Sequence, residues 1–206
     1  MRDAPLLLLT ATVWIYWSRV AFMVARARRR TGDTAGLVPR QPLERLLWLV
    51  WVPLVAAWLA LPLLGLTRTG GPLAVPELAR QEPVLEALRW AAALCGVFCL
   101  AMTQKCWARM GDDWRMDVRP DRKPDLITDG LFARIRHPIY GFSILLMLCT
   151  ATFVATVPML VVALVHVILM NIKAHNEERY LLRCHGNRYR QYLQQTGRFF
   201  PRHAAR

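Results

Sequence analysis

The run IYGFSILLMLCTATFVATVPMLVVALVHVILMNI, Ile139 to Ile172, is 34 residues without a charge. As one straight helix it would reach about 51 Å at 1.5 Å per residue, far more than a hydrocarbon core of ~30 Å needs. Pro158, after Ala155-Thr156-Val157, is where such a helix breaks or restarts. The run therefore reads as a tight helical hairpin of two arms, each of roughly 16 residues and short for a membrane span. A hairpin returns the chain to the side it came from. The Arg136-His137-Pro138-Ile139-Tyr140 turn before it and the Lys173-to-Glu178 exit after it are thus expected close together, at or below the headgroup level.

Outward from the hairpin, the rest of the chain repeats the membrane pattern. Ala4 to Ala25 carries one charge, Arg19, and is long enough to span. It ends in Arg26, Arg28, Arg29 and Arg30 rather than in a clean cleavage site, so it reads as an uncleaved first span and not as a signal peptide. Leu46 to Leu66 is a second span, with Pro53 and Pro62 tolerated where neighbouring helices satisfy the freed carbonyls. Val84 to about Thr103 is a third. The expected fold is all-α, an integral membrane bundle of about five transmembrane helices with a C-terminal helical hairpin and a cytosolic lid. Residues 1–104 form its three-span N-terminal region and 105–206 its functional core.

The chain is 55% hydrophobic, carries 8 Trp and has a net charge of +13. A basic balance can signal nucleic acid, but here the arginines flank apolar runs, the pattern of positive-inside topology and of contact with anionic headgroups. No nucleic-acid partner is expected. Loop 26–45, segment 104–138 and the tail from Lys173 hold most of the basic residues and fall on one side if there are five spans. The charge rule puts that side in the cytoplasm and the N-terminus outside. The preference for Arg over Lys fits a GC-rich bacterial genome, hence an inner membrane. The five cysteines form no CxxC pair and read as packing residues.

No acidic residue lies deep in an expected span, which disfavours a proton relay or cation channel. There is no glycine-rich phosphate loop, zinc-ligand spacing or nucleophile elbow. Polar, aromatic and backbone-breaking residues crowd instead into Asp125 to Tyr140. Gly130 permits a turn and Pro138 biases His137 away from the helical region. As a bland alternative, the stretch is a juxtamembrane loop anchoring a helix. In the second hairpin arm His166, Met170, Lys173 and Glu177 fall on one stripe within about 60°. That stripe begins apolar and ends in a cation and a carboxylate, while Glu178 points about 100° away. His166 alone reads as a buried, hydrogen-bonded residue. Beyond it Tyr180, Leu181, Gly186, Tyr189, Tyr192 and Leu193 suggest an interfacial helix broken at Gly186.

The series Gly130-Leu-Phe-x-x-x-Arg136-His137-Pro138-x-Tyr140, hairpin, Glu177-Glu178-x-x-Leu181, Gly186, Tyr189-x-x-Tyr192 and Arg198-Phe199-x-Pro201 resembles the isoprenylcysteine carboxyl methyltransferase family. The same C-terminal pattern occurs in phospholipid N-methyltransferases and, in part, in sterol reductases. The resemblance covers about residues 110 to 202. It implies a membrane enzyme that binds S-adenosylmethionine in a non-Rossmann site beneath a cytosolic lid.

By position, the resemblance assigns the cofactor to Asp125, Leu126, Ile127, Phe132, His137, Pro138, Ile139, Tyr140 and Glu177. It assigns the acceptor to Lys173, Trp114 and Arg115, and marks no residue as catalytic. Phe132 stands where the family usually has Tyr, Pro124 where it often has His, and Lys173 where the prenylcysteine enzymes have Arg. A lipophilic or prenylated acceptor would come from the bilayer, among membrane lipids, and the cofactor from the cytosol. The activity implied is methyl transfer to that acceptor, most like isoprenylcysteine carboxyl O-methylation. The other readings are phospholipid amine N-methylation, an NADPH-dependent sterol-type reductase and a non-catalytic membrane protein.

Overall fold

Proline opens each of the five long helices. Pro5, Pro42, Pro83, Pro138 and Pro158 all sit in a first turn, where the missing N–H costs nothing and the fixed φ suits the helix. The computed structural model describes residues 3–32, 37–68, 70–75, 82–118 and 123–202. Its helices are α1 (Ala4–Thr31), α2 (Pro42–Thr67), α3 (Pro83–Met110), α4 (Pro138–Phe153), α5 (Val157–His185) and α6 (Asn187–Gln195). Asp3 caps α1 by accepting the Leu6 N–H at 3.2 Å, and Gly32 closes it in the left-handed region.

The fold is the expected helical membrane bundle. Helices α1, α2, α3 and α5 are long and apolar enough to cross a membrane, and α4 is a shorter apolar helix. The hairpin turns at Val154–Thr156, but its arms are unequal. Helix α4 has 16 residues as expected, whereas α5 has 29 and runs past Lys173. After Ile172 the sequence turns polar without a helix breaker, so the helix continues until Gly186 takes a φ of +53°. Tyr180 and Leu181 therefore belong to the extended hairpin arm, and only the segment after Gly186 forms a separate helix.

Helix α1 buries Leu6, Leu9, Val13, Tyr16 and Val20, a 3,4,3,4 stripe facing the bundle. It packs between α2 and α3, and α3 lies along α4. Small residues allow the closest approaches. A Cβ at Gly96 would lie 2.7 Å from Leu9 Cδ1 and 3.2 Å from Leu146 Cδ1. Trp58 of α2 fills the centre and donates its indole N–H to Thr150 Oγ1 at 3.1 Å. Leu46, Leu49, Leu94, Phe98, Leu160 and Leu164 remain exposed on the outer faces, as side chains meeting lipid tails would be.

The two ends of the bundle differ in charge. One end is closed by the buried Asp3–Arg89 ion pair and by Gly65, Val75 and Val154. At the other end meet Arg30 and Asp112 at 2.7 Å, Lys173 and Glu44 at 3.2 Å, and Arg136 and Glu178 at 3.0 Å. The three basic segments read from the sequence thus share one end, and that end holds both cavities described next.

Candidate functional site at the charged end of the bundle

The Arg134-to-His137 segment is held by the tail of the chain. Arg136 N–H donates to Gly197 O at 2.9 Å, His137 N–H to Arg198 O at 3.0 Å and Gly197 N–H to Arg134 O at 3.1 Å. Tyr192 of α6 donates to Phe132 O at 2.6 Å. Gly141 lets the tail lie against α4, since a Cβ there would sit 2.6 Å from Phe199 O. The Arg198-Phe199 motif is therefore a strap over the His137 turn.

The two adjacent glutamates of α5 face different surroundings. Glu178 accepts from Arg136 Nε at 3.0 Å and from the Arg198 guanidinium, and its side chain is buried. Arg136 also donates to the carbonyl of Thr196. Glu178 thereby joins the turn, the hairpin and the strap. Glu177 instead accepts the Tyr140 hydroxyl and lies 3.9 Å from Lys173 Nζ. His137 stands between the pair, with Nδ1 3.5 Å from Glu177 Oε2 and Nε2 3.4 Å from Glu178 Oε1. The second contact is ionic in distance only, because Nε2 makes no hydrogen bond. The His137 ring stacks on Tyr140 at 5.5 Å and 3°.

Burial alone would pull the His137 imidazole down, but the two carboxylates outweigh it and hold its pKa above the ordinary histidine value. A raised folded-state pKa contributes stability that is complete below the unfolded value of about 6.5 and disappears as pH rises through the folded value. The melting temperature of the detergent-solubilised protein is therefore expected to fall as pH climbs from about 6.5, with a smaller fall in His137→Gln. Equal slopes would remove His137 as the titrating group.

Among the described residues, two of the cavities at this end gather the residues singled out in the sequence. The first is a cleft lined among others by Arg115, Asp117, Phe132, His137, Tyr140 and Glu177. Of the sequence-assigned cofactor residues, Phe132, His137, Pro138, Ile139, Tyr140 and Glu177 line it together. Asp125, Leu126 and Ile127 do not; Pro124, just before them, does, and the Asp125 side chain is exposed. The second cavity lies deeper and is walled by Trp17, Trp48, Trp51, Trp107 and Trp114, with His166 and Ser143 at its inner end. Lys173 lines only the second, and Trp114, Arg115, Ile139 and Tyr140 line both. The three sequence-assigned acceptor residues thus meet at the second cavity. His166 is buried there, with Nε2 3.1 Å from Ser143 Oγ and Nδ1 buried without a hydrogen-bond partner.

Sequence reasoning missed Glu44, Asp117, Tyr180 and the aromatic wall contributed by α1 and α2. Glu44 opens α2, yet its side chain is buried against Lys173, 129 positions away. Its carboxylate accepts from Lys173 at 3.2 Å and from Asn176 Nδ2 at 2.9 Å. No local signal marks such a pairing. The five lining tryptophans were visible as composition but not as one surface.

Residues 92–183, somewhat under half of the chain, match the family model of the isoprenylcysteine carboxyl methyltransferase (ICMT) family. The matched stretch runs from within α3 almost to the end of α5 and includes the His137 turn, the hairpin and both glutamates. This part of the chain is thus similar to that family of membrane methyltransferases. Among curated proteins none matches the chain.

Proposed function

We propose that the protein is an S-adenosylmethionine-dependent methyltransferase acting on a lipophilic acceptor at the membrane–cytosol boundary. The observation that carries this reading is the pairing of a polar cleft with an aromatic cavity across a shared wall of Trp114, Arg115, Ile139 and Tyr140. A polar cofactor and an apolar acceptor need two compartments that meet at one point, and positioning supplies most of the acceleration of a methyl transfer.

The cleft suits the cofactor chemically. Its Glu177 and Asp117 carboxylates complement an ammonium group, Arg115 and Arg136 complement a carboxylate, and the Phe132 ring offers a face to a purine. His137 Nε2, buried without a hydrogen-bond partner, leaves one polar atom there for a ligand to satisfy. We assign Asp125, Leu126 and Ile127 to the rim of the lid, next to the cleft-lining Pro124. When bound, the sulfonium supplies an electrophilic methyl group. Tyr140, on the shared wall and anchored to Glu177, is placed to fix the relation between the two occupants. The positive-inside rule assigns this end to the cytoplasm, and the arginine-rich composition favours a bacterial inner membrane.

The test is calorimetric titration of the purified protein with S-adenosylmethionine and S-adenosylhomocysteine, with NADPH as the control. Binding of the adenosyl pair and not of NADPH is the expected result. Binding of NADPH alone would replace this reading with the sterol-type reductase. Binding of neither would leave a membrane protein without turnover.

A further inference from the structure

The indole of Trp58, buried at the centre of the bundle, donates its N–H to Thr150 Oγ1 at 3.1 Å. Around the second cavity the indoles are left differently. The N–H groups of Trp17, Trp48 and Trp107 are buried and have no acceptor in the protein. All three residues line the cavity, and they come from α1, α2 and α3. His166 of α5 lines it too. Its Nε2 stands 3.1 Å from Ser143 Oγ, while Nδ1 is buried without a partner. Four buried, unpartnered nitrogens thus belong to residues of one cavity wall.

A buried N–H that has given up water and found no acceptor carries its full desolvation cost. One such group can be an accident of packing. Three indoles from three helices around one space, with a histidine nitrogen beside them, are what remains when the missing partner is a ligand. Water is a poor substitute, because each molecule needs roughly two to four polar partners. Between these nitrogens the wall is largely ring and aliphatic surface, including Val20, Leu47, Leu169 and Met170. An indole N–H only donates, so its partner must be an acceptor, whereas His166 Nδ1 donates or accepts according to its tautomer. Lys173, Arg115 and Glu44, also in the lining, bear on a ligand's head group; the indoles bear on its body. A hydrocarbon body would leave all three donors unsatisfied. A body carrying oxygens would pair with them and keep its contact with the rings.

We infer that the tryptophan-walled cavity takes a lipophile whose apolar body carries neutral oxygens, carbonyl or hydroxyl, paired with the indole N–H groups of Trp17, Trp48 and Trp107, rather than a plain prenyl or alkyl chain. This inference deepens the methyltransferase reading and rests on it for the identity of the cavity as the acceptor site.

Fluorene and fluorenone are flat lipophiles of nearly equal size that differ by one carbonyl, and they are the probes. Each is titrated into the full-length protein, carrying nitrogen-15-labelled tryptophan, in detergent micelles. S-adenosylhomocysteine binding is measured on the same preparation. Trp17→Phe, Trp48→Phe and Trp107→Phe assign the three indole signals by their loss. At least one of the three is expected to move downfield with fluorenone, as a newly bonded N–H does, and not with fluorene, which supplies the same ring currents without the oxygen. The Trp58 signal, its N–H already bonded to Thr150, should stay in place. Fluorenone should bind at a micelle loading about three- to tenfold below that of fluorene. Phenylalanine at the responding position should bring the two probes within about twofold of each other. Equal binding of the two, tighter binding of fluorene, no binding of either, or a downfield shift at none of the three indoles would overturn the inference. If a phenylalanine variant does not fold, the wild-type comparison of the two probes decides. Failure of S-adenosylhomocysteine to bind, with the fluorenone preference and shift intact, would instead remove the methyltransferase reading and leave the cavity's ligand class standing.

Discussion

Glu178→Ala is expected to lower the melting temperature of the detergent-solubilised protein by roughly 6–12 °C, the equivalent of about 3 kcal/mol for a chain of this size. Breaking a buried ion pair costs far more than the pair is worth, because it strands the partner's charge. Glu178 has two such partners. Arg136 is nearly as buried as Glu178 itself, while Arg198 is one-third exposed and can turn to water, which places the loss at the lower end of the usual range. The damage should also be local. The strap from Gly197 to Phe199 hangs on Glu178 and on three backbone hydrogen bonds. Amide exchange in the Gly197–Arg198 and Arg136–His137 segments should therefore accelerate before that of α1 or α3. Glu178→Gln, which still accepts hydrogen bonds, should lose less than the alanine variant. A Glu178→Ala protein that melts as the wild type does would show that the strap is held by its backbone alone.

The bundle was legible because hydropathy and proline mark membrane helices strongly. An uncharged run too long for one crossing, interrupted at Pro158, can only fold back, and it does so at Val154–Thr156. The end of the second arm was less legible. Polarity after Ile172 signals departure from lipid but not the end of a helix, and only Gly186 supplies the stop. Within the site, the turn residues Phe132, His137, Pro138, Ile139 and Tyr140 could be named in advance because the family resemblance runs through them, and they do line one cleft. Lys173 and Glu177 could be paired because helical spacing brings i and i+4 together. Glu44 could not. Its partnership with Lys173 joins the first turn of α2 to the last hairpin arm, and nothing in either segment encodes the other. The aromatic wall has the same origin, since Trp17, Trp51 and Trp107 come from three helices whose mutual rotation is set by packing.

Glu177→Ala should have the opposite profile to Glu178→Ala: S-adenosylhomocysteine affinity falls about 10- to 100-fold while the melting temperature stays within a few degrees. The two residues are neighbours on one helix, so a general disturbance of α5 would move both properties in both variants. They differ in what they touch. Glu177 lines the cleft and accepts the Tyr140 hydroxyl, whereas it is Glu178 that holds Arg136 and Arg198. Lys173 loses a carboxylate at 3.9 Å but keeps Glu44 at 3.2 Å and the Met116 carbonyl, so it is not stranded by the substitution. His137 likewise keeps Glu178 beside Nε2. What the alanine variant lacks is the negative charge facing the cleft, and a charge-assisted hydrogen bond to a ligand ammonium is worth about 1.5–3 kcal/mol. Calorimetry and a melting curve on each variant read the two quantities separately. A Glu177→Ala protein that binds S-adenosylhomocysteine as tightly as the wild type would move the cofactor's amino group away from this carboxylate. In that case Asp117, the other carboxylate among the described residues of the cleft, becomes the group to test for the ammonium.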